Sequence, residues 1–307
     1  MAEERSSTER AAIERNRWHC VPYSPANELR PRDVEAQELN AAITAPQAKP
    51  FNVWELEFRY WPVWDVGSEA LLAFLPEAVP AITQRPGSLL GGSGASRAPA
   101  VNGADLSADD AFELDFRTLY DLARKIEQLA NRNKRFPMIC PVHFETMASL
   151  RLRQEYLSLC SHLPGVWRRL LNFEVVCSPS DVTPIRIQSI ARDLQAYGRS
   201  LHWRAELGST SLPDLNYTGV AALGLRLSED LIDEGETMQA MDSFALKMKQ
   251  LGVETFLHGV SSKSLATNAF CANFRYISGE AIHPAILEIE SLRSFEPLHL
   301  VAGPRRR

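Results

Sequence analysis

The chain has 307 residues, 45% of them apolar, and a formal charge of −5 with both signs mixed along its length. That size suits one large domain with a real core or two modest ones. The mixed charge argues against a nucleic-acid-binding stripe, the charged first residues are not expected to act as a signal peptide, and no apolar run approaches the ~20 residues of a membrane span.

Residues 1–50 read as peripheral, with short helices expected around Thr8–Arg17 and Arg32–Ala42 between prolines. Val53–Val66 is aromatic and β-branched, hence a strand. Gly67-Ser68 suits a two-residue type II′ turn, and Glu69–Leu75 is the return strand, stopped by Pro76. Residues 84–108 are rich in Gly, Ser, Ala and Pro and read as a flexible insertion. Asp109–Asn133 has apolar residues at helical spacing. Strands then alternate with helices: strand Pro137–Phe144, helix Thr146–His162, strand Leu170–Val176, helix Thr183–Gly198 and strand Ser200–Leu207. A helical turn near Pro213–Gly219 follows, then strand Val220–Leu227, helix Glu229–Leu251, strand Val253–His258, helix Lys263–Asn273, strand Arg275–Ser278 and a last helix, Pro284–Leu292.

Strand–helix alternation predicts a parallel α/β sheet, and a leading hairpin plus these strands makes the eight of a closed (β/α)8 TIM-like barrel. The expected organisation is an N-terminal peripheral segment, 1–50, a barrel over 51–292 and a C-terminal tail, 293–307. An open doubly wound sheet is the alternative, but no Gly-rich turn follows the first strand. Cys20, Cys140, Cys160, Cys177 and Cys271 are odd in number and form no Cys-x-x-Cys pair, so they read as reduced, mostly buried thiols of a cytoplasmic protein.

Several segments resemble the EAL-domain family of bacterial cyclic di-GMP phosphodiesterases. Leu251–Pro284 is similar to the family's strand–helix–strand run, with His258-Gly259-Val260-Ser261 in place of Glu-Gly-Val-Glu and Ser278-Gly279 in place of Gln-Gly. Tyr60–Asp65 resembles the first strand, and Phe173–Cys177 stands at the Glu-x-Thr-Glu strand. Ala205–Gly208 stands at Asp-Asp-Phe-Gly, and Leu225–Ser228 at the Leu-Lys-Ile-Asp strand end. The resemblance spans about 51–290 and implies a barrel whose first strand is antiparallel. It also implies chemistry by two divalent cations held on carboxylates and an Asn at the strand ends, with a supporting Lys.

At those positions the chain departs from the family: His143 stands for the Asn, Ala205 and Glu206 for the Asp pair, Arg226 for the Lys, His258 for the Glu and Ser278 for the Gln. Only Glu174 matches. Glu69-Ala70-Leu71 spells the family motif but directly follows the turn, at the wrong end of the barrel, and Ala73, Phe74 and Leu75 near the expected rim bind no metal.

His143, Glu174, Glu206 and His258 all end predicted strands and form a conceivable metal set. The plainer reading makes them solvated relics. Arg226 is a candidate phosphate contact or the partner of Glu206. Trp61, with Trp54, Trp64 and Trp203, could stack a base or fill the barrel. The departures imply a catalytically inactive module with no cofactor, acting through an unidentified protein partner, with no nucleic acid and no membrane insertion. The alternatives are a cyclic di-GMP receptor and residual metal-dependent hydrolysis. Since EAL domains resembling this one often pair through the region after the fifth and sixth strands, Leu212, Leu215 and Tyr217 are candidate homodimer contacts.

Overall fold

The structure, a computed structural model, describes residues 56–80, 106–176, 182–205, 207, 218–227, 233–291, 294–297 and 300. The expectations for 1–50, for most of 84–108 and for most of the Pro213–Gly219 turn lie outside these residues.

Eight strands close into one barrel in chain order: β1 (Leu56–Asp65), β2 (Ala70–Pro80), β3 (Met138–His143), β4 (Leu171–Val176), β5 (Ser200–Ala205), β6 (Ala222–Arg226), β7 (Glu254–His258) and β8 (Tyr276–Ser278). β1 is antiparallel to both β2 and β8, and the remaining neighbours are parallel. This is the expected barrel with its inverted first strand.

The hairpin differs in two ways. Its turn spans 66–69 and places positive φ on Glu69 (52°), not on Gly67. Asp65 accepts from the Gly67 N–H at 3.1 Å, so a side-chain-supported turn replaces the tight glycine turn. Second, β2 does not stop at Pro76 but runs to Pro80, pairing Tyr60 with Pro76 and Leu56 with Pro80. Proline is tolerated because the register with β3 contains only Phe74↔Met138, so the rest of β2 is edge-like on that side.

The helices form where apolar stripes coincide with caps. α1 (Ala108–Asn131) starts on Ser107, whose side chain accepts from the Asp110 N–H at 3.2 Å, and buries Leu114, Leu119, Leu122, Ile126 and Leu129. The single helix expected over Thr146–His162 is two, α2 (Phe144–Ala148) and α3 (Leu150–His162), because extended Ser149 caps the second. A short α4 (Gly165–Arg168) precedes β4.

α5 (Pro184–Gln195) has Thr183 as cap and Pro184 in its first turn. α6 (Glu234–Leu251) starts later than expected, where Asp233 accepts from the Gly235 and Glu236 N–H groups, and ends at left-handed Gly252. α7 (Lys263–Cys271) is capped by Ser262. The last expected helix is absent: Ile286 instead exchanges two backbone hydrogen bonds with Tyr60, at 2.8 and 2.9 Å. The described part of the supposed tail also packs on the barrel, with Phe295 edge-on to Trp64 and Leu300 buried.

Two apolar clusters result. The larger fills the shell between strands and helices and contains Trp64 and Trp203, so both indoles pack beneath helices. The smaller fills the barrel with Trp61, Val63, Leu75, Ile139, Phe256 and Tyr276. Gly224 admits the Phe256 ring, since a Cβ there would lie 2.2 Å from it. Among the described cysteines Cys140 and Cys160 are buried and Cys271 is exposed. No described helix is long and apolar enough to cross a membrane.

Candidate functional site

Barrel interiors are packed, and chemistry in this architecture gathers at the strand C-terminal ends. Here that end carries a buried polar layer above the apolar filling. Glu174 on β4 is fully buried. Its Oε1 accepts from Arg204 on β5, from Nε at 2.6 Å and also from Nη2; its Oε2 accepts from His258 Nε2 on β7 at 3.0 Å. The other ring nitrogen, Nδ1, lies 2.7 Å from the Ser278 hydroxyl on β8. Burial alone would raise the Glu174 pKa, but the Arg204 guanidinium and His258 outweigh it and hold the carboxyl well below its ordinary range. Burial lowers the pKa of His258, and Glu174 only partly restores it. One ring nitrogen thus faces the Glu174 carboxylate and the other the Ser278 hydroxyl.

A second ion pair lies beside the first. Arg226 on β6 donates through Nη2 to Glu77 Oε1, and Trp61 Nε1 donates to Glu77 Oε2 at 2.8 Å. Glu77 is buried, at 7% exposure. Truncating β2 at Pro76 hides this residue from a sequence reading. The signal was present: Ala73, Leu75 and Glu77 share strand phase, and β1 is too long to pair with a return strand ending at Leu75. Glu77-Ala78-Val79 thus lies several residues beyond the turn, where the resemblance reserves its Glu-x-Leu motif. Glu69 lies in the turn at the opposite end.

His143 ends β3 and is oriented from outside the barrel. Asp115 on α1, 1% exposed, meets His143 Nδ1 at 2.7 Å, its backbone N–H at 2.9 Å and the Thr146 hydroxyl at 2.6 Å. Burial would lower the His143 pKa; Asp115 outweighs it and raises the pKa above the usual histidine value. Deeper in the barrel His202 stacks on Tyr276 with ring centroids 6.2 Å apart, and burial lowers its pKa to about 4.

The expected set is therefore only partly assembled. Glu174 and His258 meet, and Trp61 and Arg226 meet on Glu77. His143 is tied to Asp115, and Glu206, Leu212, Leu215 and Tyr217 lie outside the described residues. The reading of Glu174, His258 and His143 as solvated relics is overturned, since all three are buried. Arg226 pairs with Glu77, the partner not foreseen for it. Among the described residues no group of three or more His, Cys, Asp or Glu side chains could hold a metal ion.

No family model matches the sequence, and no curated protein matches it either. The fold is similar to solved EAL-domain structures. An EAL-domain protein from Listeria monocytogenes EGD-e is 13% identical over 83% of this chain and 95% of its own, with a TM-score of 0.51. The FimX EAL domain of Xanthomonas citri, solved with cyclic di-GMP, is 16% identical over 92% and 99%, with a TM-score of 0.50. The EAL enzyme Bd1971, solved with cAMP and cyclic di-GMP, is 12% identical over 83% of this chain and 66% of its own, with a TM-score of 0.52. This chain thus spans about two thirds of that protein's length. At these identities the likeness is one of fold: an EAL-like barrel.

Proposed function

We propose that this barrel is a catalytically inactive module of cyclic di-GMP signalling that acts through contact with a protein partner. The observation that carries the reading is the pairing of two buried carboxylates at the mouth with guanidinium groups: Glu174 with Arg204 and Glu77 with Arg226. A hard divalent cation binds through several oxygen ligands. Among the described residues, Glu174 and Glu77 already hold guanidinium groups, Asp115 is spent on His143 and Thr146, and the other groups beside them are imidazoles and a hydroxyl. A two-cation site does not fit this set of described donors.

The test is calorimetric titration of the full chain with cyclic di-GMP, with and without Mg²⁺ or Mn²⁺, alongside chromatography for the linear product. The expected outcome is no turnover, in Ala205→Asp as in the wild type, because one restored ligand does not displace two guanidinium groups. Metal-dependent hydrolysis would refute the reading. Heat without turnover would favour a receptor, the reading suggested by the cyclic di-GMP held in the FimX and Bd1971 structures. The proposed contact surface includes a homodimer patch at Leu212, Leu215 and Tyr217. Charged substitutions at Leu215 and Tyr217 should give a folded monomer by light scattering, and a monomeric wild type would remove the dimer.

A further inference from the structure

At the end of the barrel opposite the mouth, the fold gathers positive charge that lies scattered along the chain. The stretches leading into β3, β4 and β5 are residues 132–137, 163–170 and 196–199. They hold six Lys or Arg and no Asp or Glu, in a chain of net charge −5. Strand register sets them side by side, with Met138 opposite Leu171 and Asn172 opposite Ser200. The Met138 N–H donates to the Leu170 carbonyl and the Arg199 N–H to the Leu171 carbonyl, both at 2.7 Å. Arg135, Arg169 and Arg199, one from each strand entry, are all exposed. We infer, resting on the protein-contact reading above, that this rim docks a carboxylate-rich segment of the partner protein.

Helix macrodipoles do not account for the charge. Cations favour helix C-termini, but only within the last turn, and Arg135 and Arg199 lie four residues beyond the ends of α1 and α5. The cations beside them brace the rim. Arg168 donates to the Leu163 and Ser161 carbonyls and lies over the Tyr197 ring, 5.3 Å from its centroid. Lys134 donates to the Glu290 carbonyl. Among the described residues Arg135 and Arg169 have no acidic partner, so their charge faces outward.

The chemistry of the face selects its occupant. Five of the six cations are arginines, whose planar forks pair with carboxylates through two parallel hydrogen bonds. Neighbouring strands lie ~4.8 Å apart, so three strand entries span about 10 Å, the reach of a short run of Asp and Glu. A membrane surface would demand apolar side chains to bury, and the one large apolar side chain exposed on these stretches is Val166, at 38%. A nucleic-acid backbone would be followed by positive charge over a longer track.

Fluorescence anisotropy of the full chain with a fluorescein-labelled deca-glutamate peptide tests the face. Binding should weaken roughly ten-fold between 50 and 300 mM NaCl. At the lower salt, Arg169→Glu should weaken it about three-fold and Arg135→Glu with Arg169→Glu about ten-fold. Lys263→Glu, exposed at the start of α7 at the other end of the barrel, should leave it nearly unchanged. Thermal melts establish that each variant folds, and where the charge reversals do not, Arg169→Gln should still weaken binding about two-fold. No binding of the peptide at low salt, unchanged affinity in the folded Arg169 variants, or an equal loss in Lys263→Glu overturns the docking face. Tighter binding to phosphatidylserine–phosphatidylcholine vesicles or to a short DNA duplex than to the peptide overturns it as well. Turnover of cyclic di-GMP would break the signalling reading without touching these affinities, so the two failures are told apart.

Discussion

The polar layer at the barrel mouth and the apolar shell beneath the helices are both largely buried, yet they hold the molecule in opposite ways. In the shell, stability scales with area removed from water, and each side chain contributes a graded amount. In the mouth, a buried charge is tolerable only while its partner is present, so the contribution is all or nothing. Glu174 is the sharpest case: fully buried, and bonded to Arg204 and His258, one a permanent cation and the other able to become one.

The largest expected effect that tests this contrast is Arg204→Ala. It leaves the Glu174 carboxylate buried with only the His258 imidazole beside it, and should cost about 3–5 kcal/mol by urea unfolding at pH 7. A loss of under ~1 kcal/mol would mean that water reaches the carboxylate and the layer is not sealed.

Next comes acid. The His202 pKa falls from its ordinary value to about 4 in the fold. Between pH ~6.5 and ~4 the unfolded chain therefore binds a proton that the native state refuses, removing roughly 3 kcal/mol. His258 shifts in the same direction. His143 has the opposite sign: its pKa is raised, so its contribution is complete below pH ~6.5 and is lost as pH rises through the folded value. Urea midpoints followed across pH should show the acid limb flatten in His202→Phe and the alkaline limb flatten in Asp115→Asn. An unchanged acid limb in His202→Phe would show that another group drives it.

Arg226→Ala should cost less, about 2 kcal/mol, because Arg226 is a quarter exposed and water can partly replace it beside Glu77. The smallest effect belongs to the shell: Ile190→Val removes one methylene from a fully buried site and should cost about 1 kcal/mol by the same assay. A shell substitution this small that matched Arg204→Ala would erase the distinction between the two regions.

The same distinction explains what a sequence reading can reach. Shell residues repeat with the period of their element, so the strands, most helices and the closed barrel with its inverted first strand are legible from alternation and caps. The mouth has no period. Asp115 lies 28 residues before His143 on another element, and Glu77 lies 149 residues before Arg226, so their pairing emerges only when the barrel closes. Glu77 was further hidden by Pro76, which breaks strands in general but not at an edge-like stretch. The split between α2 and α3 is not legible because Ser149 reads equally as a helix residue and as a cap.

That edge-like stretch has a consequence for how the cylinder comes together. β3 through β8 are joined by parallel ladders of two to six register pairs, whereas β2 meets β3 in a single pair, Phe74↔Met138. On its other side the hairpin is held by three pairs between β1 and β8. The β2–β3 junction is therefore the seam of the barrel. Amide protons such as that of Phe74, which donates to the Pro137 carbonyl at 3.2 Å, sit where transient opening meets least resistance. The expected order of folding is that the six parallel strands assemble first as a curved sheet and the β1–β2 hairpin docks last. A Phe74 amide that exchanges more slowly than those of the β4–β5 ladder would refute it. Closure of the hairpin brings Glu77 to Arg226 and completes the mouth.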